Sequence, residues 1–249
     1  MKIAIISDIH GNLDALQVFF ESQAASESFD ELWVLGDQVN FGPQPREVLE
    51  ILRDRADIAI QGNHDHAVGF DDDSRWTPAF RAMAEATRRH TSAELSDEQK
   101  LYLRDLPLTM RLERGGTRFQ LVHATPSDPH YGYLLADADG WAAELDSVDA
   151  DVLLVGHTHT PFIRRIGDKT IVNPGSIGQP AYSDPTPPRP HVSEAGSPHA
   201  RYAVVTIAAG QVASVELKAI AYDWRAAAAR ADDLGRADWA RALATGFMA

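Results

Sequence analysis

The sequence predicts an α/β protein, and two observations carry that prediction. Over the first 60 residues apolar runs alternate with amphipathic stretches in the order β-α-β-α-β, a pattern that implies parallel strands. In addition, five short apolar runs each end in residues able to bind a metal. Lys2–Ser7 ends at Asp8 and His10, Glu31–Leu35 at Gly36 and Asp37, and Ile58–Ile60 leads to Gly62-Asn63-His64-Asp65. Phe119–Val122 ends at His123, and Val152–Val155 at Gly156-His157-Thr158-His159. Ligands of open α/β sheets sit beyond the carboxyl ends of the strands. Five strands that deliver oxygen and nitrogen donors to that edge describe one metal-loaded site.

Each element has its own signal. After strand Lys2–Ser7, the stretch Leu13–Ala24 presents Leu13, Leu16, Val18, Phe19 and Phe20 as an apolar helical face. After strand Glu31–Leu35, Pro45 opens a helix carrying Val48, Leu49, Ile51 and Leu52; its missing N–H does no harm there. Strand Ile58–Ile60 completes the pattern. Residues 74–105 read as two helices. Ser74 is the expected cap of the first, with Trp76, Phe80, Met83 and Ala84 on one face, and Ser96 begins the second. Arg114-Gly115-Gly116, Gly167-Asp168 and Ala209-Gly210 read as hairpin turns, and a short helix near Asp139–Leu145 precedes strand Val152–Val155. Residues 180–200 hold six prolines, which cannot join a sheet interior, and are expected to form a long surface loop. The Ala-rich tail, 223–248, is expected to be helical with a break near Gly235. No domain boundary is evident, so residues 1–249 read as a single domain.

Composition narrows the function. The chain has 249 residues, 44% of them hydrophobic, and is expected to bury about three quarters of its unfolded surface. It has no run of 18 apolar residues, so no membrane span is expected. Its first residues run straight into a motif and lack a cleavage site, so a cytoplasmic location is expected. The absence of cysteine excludes disulfides, thiolate zinc sites, iron–sulfur clusters and cysteine nucleophiles. A net charge of −13 leaves no basic field to gather nucleic acid or anionic membrane. For an anionic substrate, bound cations must supply the local positive charge.

The donors are Asp8, His10, Asp37, Asn63, His123, His157 and His159. In extended backbone, residues i and i+2 share a side, so Asp8-x-His10 and His157-x-His159 are each expected to grip one ion. Asp37 follows a glycine that permits a sharp turn, and its two oxygens suit it to bridge two cations. Two ions roughly 3.5–4 Å apart suit phosphate-ester hydrolysis.

DIHGN, GDQVNFGP, GNHD, VHATP and GHTH, in this order, resemble the motifs of the calcineurin-like metallophosphoesterase family. The match spans most of residues 4–178, including Asn173-Pro174-Gly175-Ser176. The resemblance implies a four-layer α/β/β/α sandwich. It implies two divalent ions, one held by Asp8, His10, Asp37 and His159 and the other by Asp37, Asn63, His123 and His157. It implies attack by a metal-bridging hydroxide, with His64 as the general acid or as a holder of a phosphate oxygen. Asp65 is expected to hydrogen-bond His64 and favour its protonated form. Manganese is the expected metal; iron, zinc, cobalt and nickel also suit N/O ligands.

The resemblance is to the small bacterial and archaeal phosphodiesterase branch. Phe41 and Asn40 stand where phosphoprotein phosphatases of the superfamily carry arginine and an acidic residue, which argues against that class. The expected substrate is a small phosphate ester, in the first place a phosphodiester. Phosphomonoester or nucleotide pyrophosphate hydrolysis on the same metals is the alternative, and a non-catalytic scaffold on this fold a third reading. The helices at 68–106, Tyr131, Tyr133 and the Pro-rich segment are expected to wall the substrate site. Arg81, Arg88 and Arg89 read as solvated charges, with a phosphate clamp as the alternative. His66, His90, His130, His191 and His199 read as bystanders, with His130 near enough in sequence to His123 to reach substrate.

Overall fold

The structure is a computed structural model describing residues 1–26, 28–185 and 190–249, with the backbone alone at 23–26 and 83. The side chain of Met83 and part of the Pro-rich segment therefore lie outside the described residues. The chain runs β1 (Lys2–Ile6), α1 (Leu13–Ser26), β2 (Glu31–Val34), α2 (Pro45–Arg55), β3 (Ile58–Ala59), α3 (Asn63–Gly69), α4 (Pro78–Glu94), α5 (Asp97–Asp105), β4 (Thr109–Arg114), β5 (Thr117–Val122), α6 (Trp141–Leu145) and β6 (Val152–Leu154). It continues through β7 (Phe162–Ile166), β8 (Lys169–Asn173), β9 (Ala181–Asp184), β10 (His191–Glu194), β11 (Ala200–Ala208), β12 (Gln211–Ile220), α7 (Arg225–Asp233) and α8 (Ala237–Thr245).

Two five-stranded sheets result, ordered β12-β11-β1-β2-β3 and β4-β5-β6-β8-β7. β1, β2 and β3 pair in parallel, as do β5, β6 and β8. Alternation along β1 explains the layering, because successive strand side chains face opposite sides. Ile3 and Ile5 pack with Trp33, Phe119, Leu121 and Leu154 between the sheets. Ala4 and Ile6 pack outward on Leu16 and Phe19 of α1 and on Val48 and Leu52 of α2. The second sheet turns Leu153 and Ile171 outward onto Trp141 and Leu145 of α6. The fold is the expected four-layer α/β/β/α sandwich. Strands buried on both faces read as unbroken apolar runs, which is why IAII and LLV carry no polar interruption. Among the described residues no helix is long and apolar enough to cross a membrane.

Trp33 bridges the layers. It is fully buried and meets Phe119 of the opposite sheet edge-on, ring centres 5.1 Å apart. Trp33→Ala is expected to destabilise the fold by about 3–5 kcal/mol, read as a lower denaturant midpoint.

Two local expectations need correction. Thr77, not Ser74, caps α4; its side chain accepts from the Phe80 N–H, and Pro78 follows at the favoured early position. The Pro-rich segment is not all loop, because β9 and β10 pair as an antiparallel hairpin. Among the described residues its prolines, Pro180, Pro185, Pro190 and Pro198, fall outside those strands, where no ladder hydrogen bond is lost. Asn63–Gly69, seven residues with no apolar period, forms a further short helix opened by Gly62. The tail is helical with its break near Gly235, as expected.

Candidate metal centre

The donor-bearing loops gather where the strands of the two sheets end. They are laced together by backbone bonds: Asp8 N–H donates to Gly36 O, His10 N–H to Asp37 O, Gly156 N–H to His123 O and Gly178 N–H to Asp8 O. Asp8, His10, Asp37, His157 and His159 all have φ between 48° and 63°. The expectation of extended backbone at these positions is thus corrected. Left-handed backbone is costly for residues with a Cβ and persists where the surroundings hold it. The loops must turn sharply to aim several donors at one point.

Two clusters form. Asp8, His10 and His159 offer ligand atoms within 4.8 Å of one another, and so do Asp37, His123 and His157. The His157-x-His159 pair is therefore split between clusters rather than closing on one ion. Asp37 Oδ2 stands between them, 3.8 Å from His10 Nε2 and 3.2 Å from His123 Nε2. Asn63 Oδ1 is 3.1 Å from His123 Nε2. All seven expected donors are thereby brought to one place.

The residues fit bound cations by a test independent of resemblance. His10 Nδ1 faces Val39 O at 3.2 Å, His159 Nδ1 faces Gln179 O at 2.8 Å, and His123 Nδ1 faces Leu35 O at 2.7 Å. A carbonyl only accepts, so each Nδ1 carries the proton, and in the neutral ring Nε2 is a lone pair. His10 Nε2 and His159 Nε2 then confront each other at 3.2 Å, and Asp8 Oδ1 lies 3.2 Å from His159 Nε2. Three buried acceptors converge with no proton to share, an arrangement a cation satisfies. Burial pushes His10 down to about 4 and His157 to about 3, keeping both in the ligating form. Burial also opposes charge on His123, but the carboxylate of Asp37 outweighs it and holds the ring at about 9. Binding a cation there releases that proton.

Gly36 and Gly62 permit the close approach of the Asp37 and Asn63 loops. A Cβ on Gly62 would stand 2.1 Å from Asp37 Oδ1 and 2.3 Å from Asp37 N, so no side-chain rotation relieves it. Gly62→Ala is expected to displace Asp37 and lower metal occupancy in both clusters, read by elemental analysis of purified protein.

Asp65 departs from its expected role. Its Oδ1 accepts from the Gln38 and Val39 N–H groups, and its Oδ2 from Gly62 N–H, pinning one ligand loop to another. As the third residue of α3 it points back to the helix start, away from its neighbour's ring. Burial, together with the charge of Asp37, pushes Asp65 up to about 7. The ring of His64 instead meets Asn40, Nδ2 to Nδ1 at 2.7 Å. As placed, Asn40 donates, which puts the His64 proton on Nε2. Burial lowers His64 to about 3, so it is neutral near pH 7 and not protonated as expected. Sequence reasoning named Asn40 only as a departure from the phosphoprotein phosphatase pattern and missed its contact with His64. A further signal is that asparagine tolerates left-handed backbone, here φ 70°, shortly after the Asp37 turn.

Beside His10, Asp37 and His64 opens a cavity of about 470 Å³. Tyr131 and Tyr133 wall it as expected. His191, read from the sequence as a bystander, lines the cavity with its ring 3.9 Å from that of Tyr133. His130 is not among the lining residues. Arg81 pairs with Asp73, Arg88 with Asp71 and Asp73, and Arg89 with Glu85, all apart from the cavity.

Comparison with known proteins accords with this geometry. A calcineurin-like phosphoesterase superfamily domain matches residues 1–193. An uncharacterized protein of Methanocaldococcus jannaschii is 30% identical over 196 residues, 72% of this chain and 76% of its own. A symmetrical bis(5'-nucleosyl)-tetraphosphatase of Psychromonas ingrahamii is 29% identical over 153 residues, 59% of this chain but only 51% of that enzyme. The crystal structure of a metallophosphoesterase from Sphaerobacter thermophilus is similar over 99% of this chain and 100% of its own, with TM-score 0.77 and 28% identity. A hypothetical protein from Pyrococcus horikoshii is similar over 100% and 99%, with TM-score 0.79 and 25% identity.

Proposed function

This chain belongs to the calcineurin-like phosphoesterase superfamily, and from that membership we propose that it is a binuclear metal-dependent phosphoesterase acting on small phosphodiesters. The observation that carries the proposal is the carboxylate of Asp37 facing a histidine of each of the two clusters of ligating side chains. Asp8, His10, Asp37 and His159 would hold one ion, and Asp37, Asn63, His123 and His157 the other. When bound, two such ions activate water and offset the charge that develops on phosphate oxygens. We propose manganese as the metal and the cytoplasm as the location.

The rest belongs to the chain's own side chains. His64 offers Nε2–H beside the clusters, its other nitrogen held by Asn40. Neutral, the ring holds a phosphate oxygen. To act as general acid toward the leaving oxygen it must first gain a proton on Nδ1, which requires the Asn40 amide to turn its oxygen toward that nitrogen. The diester preference is supported by the cavity, whose aromatic walls extend well past the metal ligands and suit a second substituent on phosphorus. Hydrolysis within a nucleoside polyphosphate is the second reading, favoured by the tetraphosphatase among the relatives.

The test is elemental analysis followed by a phosphate-ester panel with manganese added. Bis-aryl phosphate is expected to be cleaved faster than mono-aryl phosphate. A strong preference for the monoester overturns the diesterase part, and no turnover of any ester by metal-loaded protein overturns the whole.

A further inference from the structure

The loop that carries His157 and His159 gives one histidine to each cluster. Its backbone therefore helps to set how far apart two ions sit. That backbone is costly to hold. Both histidines are left-handed, at φ 63° and 57°, a conformation that persists only where the surroundings over-determine it.

The β9–β10 pair supplies those surroundings, because it grips three consecutive residues of the loop. Just before β9, the carbonyl of Gln179 accepts from His159 Nδ1 at 2.8 Å. On β9, the Tyr182 hydroxyl donates to His157 O at 3.4 Å, and His191 Nε2 on β10 faces that hydroxyl at 3.3 Å. Ser193 on β10 is buried; its hydroxyl donates to Thr158 O at 2.8 Å and lies 3.3 Å from the Thr160 hydroxyl. The Thr158 side chain is held separately, its Oγ1 accepting from Asn173 Nδ2 at 3.1 Å. The pair is itself well supported. Ala195 N–H donates to Pro180 O at 2.9 Å across its base, and Ala181 shares an apolar cluster with Trp239, Ala242 and Leu243 of α8. Neither Ser193 nor Tyr182 belongs to a cluster of ligating side chains. Each hydroxyl binds a carbonyl, so each acts on the ligands through the backbone.

We propose that the β9–β10 pair is a clamp that fixes the spacing of the two ions, with Ser193 and Tyr182 as its positioning residues. The inference rests on the two-ion reading of the centre. Tyr182, Ser183 and His191 of the same pair line the cavity, so one element sets both the ion spacing and part of the substrate wall.

The test is manganese binding to the full chain, followed by calorimetry and by the electron paramagnetic resonance spectrum of the bound ions. Ser193→Ala is expected to weaken binding roughly 3- to 10-fold, as loss of one hydrogen bond does. The effect stays modest because the Thr160 hydroxyl still reaches Thr158 O, at 3.2 Å. Ser193→Ala combined with Tyr182→Phe is expected to weaken binding roughly 10- to 100-fold, the range for groups that orient metal ligands. Wild type is expected to give the spectrum of two coupled ions, and the double variant that of isolated ions at the same manganese-to-protein ratio. Ser193→Thr keeps the hydroxyl and is expected to bind within about twofold of wild type. Unchanged affinity with an unchanged coupled spectrum in the folded double variant overturns the proposal. So does a Ser193→Thr variant as weak as Ser193→Ala, which would mean that Ser193 merely fills space beside the loop. Ser193→Ala carries the test alone if the double variant does not fold. A wild type that binds a single ion would sink the two-ion reading instead, and affinity for that ion would still have to fall in Ser193→Ala.

Discussion

Asp37→Asn is expected to lose metal from both clusters, with affinity down by more than ~100-fold, the upper end of what even an outer-shell change costs. The substitution keeps the shape and removes the shared charge. The backbone N–H of His64 donates to Asp37 Oδ1 at 2.9 Å, so the oxygen of the introduced amide would settle there. The NH2 would then replace Oδ2, the atom facing both His10 and His123. An NH2 ligates neither ion. Turnover should fall with occupancy and return only partly with excess manganese. Elemental analysis and activity measured together check this; two ions retained in the variant would remove Asp37 from the bridging role.

The same variant carries a pH signature in metal-free protein. His123 holds its proton to about 9 because Asp37 outweighs the burial that disfavours it. A raised histidine pKa contributes stability that is fully present below the unfolded value near 6.5 and is lost as pH rises through about 9. Metal-free wild type should therefore melt lower as pH climbs across that window. Asp37→Asn should flatten this slope.

The second large effect is at His64. His64→Ala should keep both ions, since its ring is in neither cluster, while kcat falls about 10²–10⁴-fold. The dependence on leaving group tells its two roles apart. If His64 delivers a proton, the loss is greatest for alkoxide leaving groups and small for p-nitrophenolate. If it holds a phosphate oxygen, the loss is uniform. Full activity of the variant on a poor leaving group would remove it from the chemistry. Asn40→Ala should reproduce part of the defect, because it frees the ring held at 2.7 Å without touching a metal ligand.

Much of this is legible in the chain. The parallel strands follow from the unbroken apolar runs, the four layers from the family resemblance, and the donor set from where those runs stop. What stays hidden depends on contacts between distant segments. The left-handed backbone at Asp8 and His157 is set by loops lacing together across the sheet ends, and no local propensity encodes it. Asp65 misleads because adjacency in sequence does not mean adjacency of side chains; on α3 it points back to Gly62 while His64 turns to Asn40. The β9–β10 pairing is hidden in the sequence by prolines that, among the described residues, lie outside its strands. Arg236 and Trp239 lie far along the chain from every motif, in an Ala-rich tail whose composition describes a helix and says nothing of the cavity it covers.

Anomalous diffraction from crystals of the manganese-loaded protein, recorded at the manganese edge, bears most directly on the two-ion centre. The expected result is two peaks in one cleft, one among Asp8, His10 and His159 and the other among Asn63, His123 and His157, with Asp37 touching both. A single peak, or metal found only away from Asp37, would contradict the account.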